Sequence, residues 1–182
     1  MKIFGIGLSR TGTTSLNDAL KILGKSALHY PDCRIEISEE KPSLRRFEPF
    51  DAMTDIPVVA LLPRLLAMYP ESRFILTTRK KRDWLDSCRR FFVDKDRSER
   101  KNKSGKDTFF RLAVYGTPKF SEIQFSYAWD RHLSEVNRII PKEKLLIMNI
   151  PLGDGWDELC GFLGRIKPNE IFPHRHKTRN LG

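Results

Sequence analysis

Cysteine is scarce in this chain. Three occur, Cys33, Cys88 and Cys160, widely separated and without the paired spacing of zinc or dithiol motifs, which argues against a disulfide framework and a structural metal. A reducing cytoplasm is the expected setting. Long apolar runs are missing as well. None approaches the roughly 20 residues that cross a bilayer, and the apolar N-terminal stretch breaks at a glycine-rich turn with no cleavage-site pattern, so no signal peptide is expected. No internal repeat and no second domain are visible, and residues 1–182 read as one domain. Acidic residues are the minority, 23 against 33 basic ones, for a net charge of +10. That balance points to an anionic partner. No aromatic–basic recognition motif accompanies it, so nucleic acid is not expected. Many of the positive charges fall between Arg79 and Lys106. Residues 93–106 read as a basic, mobile loop and a solvated face rather than a binding site.

What is present is concentrated at the start, in Lys2 to Gly24. Ile3, Phe4 and Ile6 form an apolar strand, followed by a turn rich in glycine, serine and threonine. Leu16, Ala19, Leu20 and Leu23 then share one helical face, and Gly24 stops the helix. A strand, a glycine turn and a helix N-terminus make an anion cradle, because free backbone N–H groups and the helix dipole converge there. The spacing Gly7-x-x-x-x-Gly12-Thr13-Thr14 fits the phosphate-loop template except that Thr13 stands where the template has lysine. The positive charge is instead at Arg10, inside the loop. Arg10, Thr11, Gly12, Thr13, Thr14 and Ser15 are therefore the expected phosphate or sulfate contacts.

Further along, Ser26–Tyr30 reads as a second short strand, and residues 31–50 as an irregular insertion with one short helix at Ser43–Phe47. Val58–Tyr69 is an apolar helical segment with Pro57 in its first turn, which places Asp55 at the entrance. Arg73–Thr78 is the clearest strand, apolar in the middle as a buried parallel strand should be, and it runs into Arg79. Asp83–Phe92 is an amphipathic helix with Trp84, Leu85, Cys88 and Phe92 inward and Ser87 turned toward the same crevice as Arg79. Helices follow at Phe109–Tyr115 and Glu122–Ile140, a last strand at Lys144–Ile150, a helix at Gly155–Leu163 and a basic tail at Pro168–Gly182. Trp84, Trp129 and Tyr127 are expected as core aromatics. The alternation predicts a three-layer α/β/α fold around a mainly parallel central sheet, P-loop-NTPase-like, with its site at the carboxyl ends of the strands.

Three pieces together resemble the sulfotransferases that use 3′-phosphoadenosine 5′-phosphosulfate (PAPS). Ser9–Ser15 is similar to their 5′-phosphosulfate loop, in which a basic residue, usually lysine, stands at the position of Arg10. Arg79 and Ser87, eight residues apart, are similar to the family's 3′-phosphate clamp. Thr54-Asp55-Ile56-Pro57 lies where cytosolic members carry a catalytic histidine before a similar proline. Leu145, Gly155-Trp156, Phe162-Leu163-Gly164 and Phe172-Pro173-His174 resemble a bacterial-type branch. The resemblance implies PAPS as co-substrate, 3′-phosphoadenosine 5′-phosphate (PAP) as product, no metal, and a small-molecule, carbohydrate or lipid acceptor sulfated on a hydroxyl or amine. It implies Arg10 and Asp55 as catalytic residues, Arg10 on the leaving group and Asp55 as base; His29 and His132, which match no motif, rank below Asp55 as rival bases. Arg10, Thr11, Gly12, Thr13, Thr14, Ser15, Arg79 and Ser87 would bind the donor. The family's C-terminal Arg-Lys-Gly is absent in that form, leaving Arg175, Lys177 and Arg179 as substitutes. Two other readings of the residues stand beside this one: a P-loop nucleoside or small-molecule kinase, and a non-catalytic nucleotide- or nucleic-acid-binding module. Thr13 in place of lysine, and no clear acidic strand end for magnesium, count against the kinase.

Overall fold

Ile3 and Phe4 are wholly buried yet adjacent, so the strand that carries them must be covered on both faces. That strand, β1 (Ile3–Gly5), is the middle of a five-stranded sheet in a computed structural model describing residues 1–39, 43–98 and 105–175. β3 (Ala52–Thr54) and β4 (Arg73–Thr77) flank it, and β2 (Ala27–His29) and β5 (Leu145–Met148) form the edges. All four pairings are parallel, with Ile3 opposite Ala52 on one side and Arg73 on the other.

Side chains that alternate across the sheet feed two cores. Phe4, Met53 and Phe74 enter the larger, aromatic one. It is built with α3 (Ile56–Ala60), α4 (Leu62–Met68), α5 (Lys81–Ser98), α6 (Gly105–Tyr115) and α7 (Glu122–Ile139). Trp84 is its hub, with Trp129 at 4.7 Å and Phe125 at 5.8 Å between ring centres. Ile3, Ala52 and Ile75 enter the other core, closed by α1 (Thr13–Ile22) and α8 (Trp156–Leu163) through Leu16, Leu20 and Leu159. The result is the expected three-layer α/β/α arrangement, with the sheet parallel throughout.

Several local expectations need correction. β3 was not foreseen: three residues are too few to show a period. The apolar segment at 58–69 is two helices, not one. Pro63 has no N–H to continue the ladder, so the chain starts again with the proline in the first turn of α4. The loop expected at 93–106 is helical at both ends, since α5 runs to Ser98 and α6 begins at Gly105; its centre, 99–104, lies outside the described residues. The insertion at 31–50 contains a short helix, α2 (Arg34–Ser38), and a 3₁₀ turn at Arg45–Phe47. Tyr127 is not a core aromatic but is 65% exposed. The buried stripe of α7 runs through Phe125, Ala128, Trp129, His132 and Val136, and Tyr127 falls on the opposite face. Among the described residues no helix is long and apolar enough to cross a membrane.

Candidate active site

The chain leaves β1 into a turn with little room. A Cβ on Gly7 would lie 1.9 Å from the Thr77 hydroxyl and 2.8 Å from the Thr77 carbonyl, so only glycine lets the loop approach β4 this closely. Thr11 then ties the turn: its N–H and hydroxyl both donate to the Leu8 carbonyl, at 3.2 and 2.6 Å, and its hydroxyl also meets that of Thr77 at 2.7 Å. Gly12, at φ 111°, delivers the chain into α1. The Leu16 N–H bonds the Gly12 carbonyl at 3.0 Å, whereas the amides of Thr13, Thr14 and Ser15 precede the first intrahelical bond and face out of the helix end. No side chain caps them.

The hydroxyls that could have capped the helix are used elsewhere. Thr13 donates to Asp55 Oδ2 at 2.8 Å, and Thr14 meets His29 Nε2 at 3.2 Å. Ser15 accepts from the Arg175 N–H at 2.9 Å, which draws the C-terminal segment over the loop. Asp55 Oδ1 accepts from the Ser9 hydroxyl and from the Ile56 N–H, each at 2.7 Å, so Asp55 also caps α3. Asp55 is buried, 6% exposed, and its carboxylate holds Ser9 and Thr13, the two ends of the loop, beside β3. His29, at the end of β2, has Nδ1 2.9 Å from the Thr54 hydroxyl and Nε2 3.5 Å from Asp55 Oδ2.

Arg10 reaches across to α5, where its Nε donates to the buried Ser87 hydroxyl at 3.3 Å and its guanidinium lies 4.5 Å above the Phe91 ring. Ser87 and Phe91 are one helical turn apart, so a single face of α5 holds this cation. Burial pulls the Arg10 guanidinium below its ordinary pKa, nearby Arg79 adds to the effect, and Cys88 and Asp55 oppose it. Arg79 donates to the Arg10 carbonyl at 3.4 Å, while its buried Nε has no hydrogen-bond partner among the described residues.

These groups line one cavity of about 520 Å³, whose further wall is made by Tyr30, Phe91, Phe92 and Asp107. Burial and a hydrogen bond to Asp107 raise the Tyr30 phenol above its ordinary pKa. Among the described residues the non-glycine residues with positive φ are Arg10 (73°), Tyr30 (52°) and Asp55 (85°), and all three line this cavity. Such backbone costs about 1–3 kcal/mol each and persists where the surroundings impose it, commonly at functional sites.

The structure thus brings together Arg10, Gly12, Thr13, Thr14, Ser15, Asp55 and Arg79 as lining residues, with Thr11 buried beneath the loop and Ser87 behind Arg10. His29 lines the cavity and His132 does not: His132 Nε2 donates to the Ile6 carbonyl at 2.7 Å, and burial lowers its pKa to about 4. Of the tail residues, Arg175 lines the cavity, and Lys177 and Arg179 lie outside the described residues. Sequence reasoning missed Tyr30, Phe91 and Asp107. Phe91 was within reach as the residue four after Ser87 on one helix; Tyr30 and Asp107 carry no local signal.

A solved sulfotransferase from Alicyclobacillus acidocaldarius shares the fold, with a TM-score of 0.59 at 16% identity, covering 99% of this chain and 86% of that one. A protein named Ava biosynthesis cluster protein M, from Aspergillus versicolor, is 29% identical over 218 residues, covering 96% of this chain and 80% of the relative. The family model described as a sulfotransferase domain matches residues 2–181. With that match spanning nearly every residue, the chain belongs to the sulfotransferase-domain family.

Proposed function

We propose that the protein moves a sulfuryl group from PAPS to a hydroxyl or amine of a small-molecule, carbohydrate or lipid acceptor. The observation that carries this reading is the buried Arg79 Nε without a partner, in the same cavity as Arg10 and the outward-facing amides of α1. Two guanidiniums that crowd each other in a half-buried cleft call for anionic groups beside them, and PAPS carries two on its ribose, at the 3′ and 5′ positions. Thr13, Thr14 and Ser15 amides with Arg10 would hold the 5′-phosphosulfate. Arg79 would take the 3′-phosphate, with Arg175 at the rim, and Ser87 would act from behind by holding Arg10. PAPS supplies an activated sulfuryl group on a phosphate leaving group. Arg10 is the residue suited to the charge that develops on that phosphate, because its donors are already fixed by Ser87 and Phe91 and need no reorganisation.

No cluster of metal-ligating side chains occurs among the described residues, and in this reading Arg10 does the work that magnesium does in phosphoryl transfer. Calorimetry with PAP, AMP and ATP, with and without magnesium, tests the donor. Tighter binding of PAP than AMP, with transfer from radiolabelled PAPS to pooled acceptors in EDTA, is the expected result. Equal affinity for PAP and AMP, or activity that needs magnesium and ATP, would sink the proposal and favour a kinase.

A further inference from the structure

We infer that His29, not Asp55, is the base that takes the acceptor proton, and that Asp55 is a positioning residue; this rests on the PAPS-dependent reading above. Asp55 lies where the sequence places a base, but three hydrogen bonds already end on its carboxylate. One oxygen accepts from the Ser9 hydroxyl and the Ile56 amide, the other from the Thr13 hydroxyl. A proton there would neutralise the carboxylate and weaken the contacts that tether Ser9 and Thr13 at both ends of the loop.

His29 is placed differently. Its ring is aimed from the end of β2, its side chain is 28% exposed, and it lines the cavity. When Nδ1–H donates to the Thr54 hydroxyl at 2.9 Å, Nε2 keeps a lone pair, and the Thr14 hydroxyl at 3.2 Å is its partner. Thr14 belongs to the loop that would hold the phosphosulfate, so a hydroxyl taking its place at Nε2 sits beside the group to be transferred. Asp55 Oδ2, 3.5 Å from Nε2, offers nothing to a lone pair but attracts an imidazolium. In the balanced step the acceptor oxygen bonds to sulfur and gives its proton to Nε2. The electron pair of the broken sulfur–oxygen bond leaves on the 5′-phosphate of PAP. The exposed edge of the ring lets the proton pass on to solvent.

The test uses the full chain in three measurements: PAP affinity by calorimetry, release of labelled sulfate from PAPS to water and to pooled alcohols and phenols, and nitrogen NMR of the His29 ring. His29→Asn and His29→Gln should lower turnover about a hundred-fold while leaving PAP affinity within about twofold. Asp55→Asn should weaken PAP binding and turnover together, because it releases the loop. The ring of the resting enzyme should carry its proton on Nδ1. A folded His29 variant with near wild-type turnover overturns the assignment. So does a resting ring protonated on Nε2, whatever the activity. Failure of the wild type to bind PAP would instead overturn the donor reading.

Discussion

The two walls of the cavity are made in different ways. The wall that the proposed function gives to the donor, hence the donor wall, is nearly continuous in sequence: Ser9 to Ser15 form one loop and helix start, locked by Thr11 to Leu8 and Thr77, by Ser9 and Thr13 to Asp55, and by Arg10 to Ser87. The opposite wall is assembled from distant pieces: His29 at the end of β2 and Tyr30 after it, Phe91 and Phe92 from α5, and Asp107 from the first turn of α6. A wall of consecutive residues that bond one another is set by local geometry and suits a constant ligand. A wall of side chains from separate elements can change shape when any one element shifts.

Breaking the donor wall should have the largest effects. Arg10→Ala should cut single-turnover transfer from PAPS by roughly 10²–10³-fold, the loss typical of removing a donor that faces developing charge. Arg10→Lys should recover part of it. A loss confined to donor affinity would mean that Arg10 binds without stabilising the transition state. Arg79→Ala should weaken PAP by about ten- to a hundred-fold and leave AMP nearly unchanged, a difference that titration calorimetry reads directly.

A third measurement probes what stands behind the donor wall. Folded His132 takes up a proton only at about pH 4, against an ordinary value of 6.5. Between those pH values the unfolded chain binds the proton and the folded chain does not. Stability is thus complete above pH 6.5 and falls as pH drops toward 4, by about 2 kcal/mol at pH 5. His132→Gln can still donate to the Ile6 carbonyl and does not titrate, so urea melts at pH 7 and pH 5 should lose about that much of their difference. An unchanged difference would assign the acid sensitivity to other groups. The smallest effect expected is at the seam of the two walls. Phe91→Leu removes the ring over Arg10, worth about 0.5–2 kcal/mol, and should weaken donor binding a few-fold while changing acceptor preference more. If donor and acceptor constants move equally, the division into two walls is too sharp.

The donor wall was legible in the sequence for the same reason that it is rigid. A strand, a glycine turn and a helix start within one short stretch, so spacing alone places the amides, hydroxyls and Arg10. Arg79 and Ser87 were legible as the end of a strand and one face of the helix after it. The opposite wall was not, since nothing near Tyr30 or Asp107 shows that they meet. β3 was missed because a three-residue strand shows no period; it declares itself only by being sandwiched between β1 and β2.

Asp55 marks the boundary between the two kinds of knowledge. Its place before Ile56-Pro57 was enough to put it at a helix entrance, where it does cap α3. What its remaining lone pairs do was decided by three strands lying side by side. β1, β3 and β2 bring Ser9, Thr13 and His29 to one carboxylate from 46, 42 and 26 residues away along the chain. Local chemistry could establish that an anion-binding loop and a nearby acid exist. Which atom is free to accept a proton depends on which neighbours have already filled the others, and that is a property of packing across the sheet.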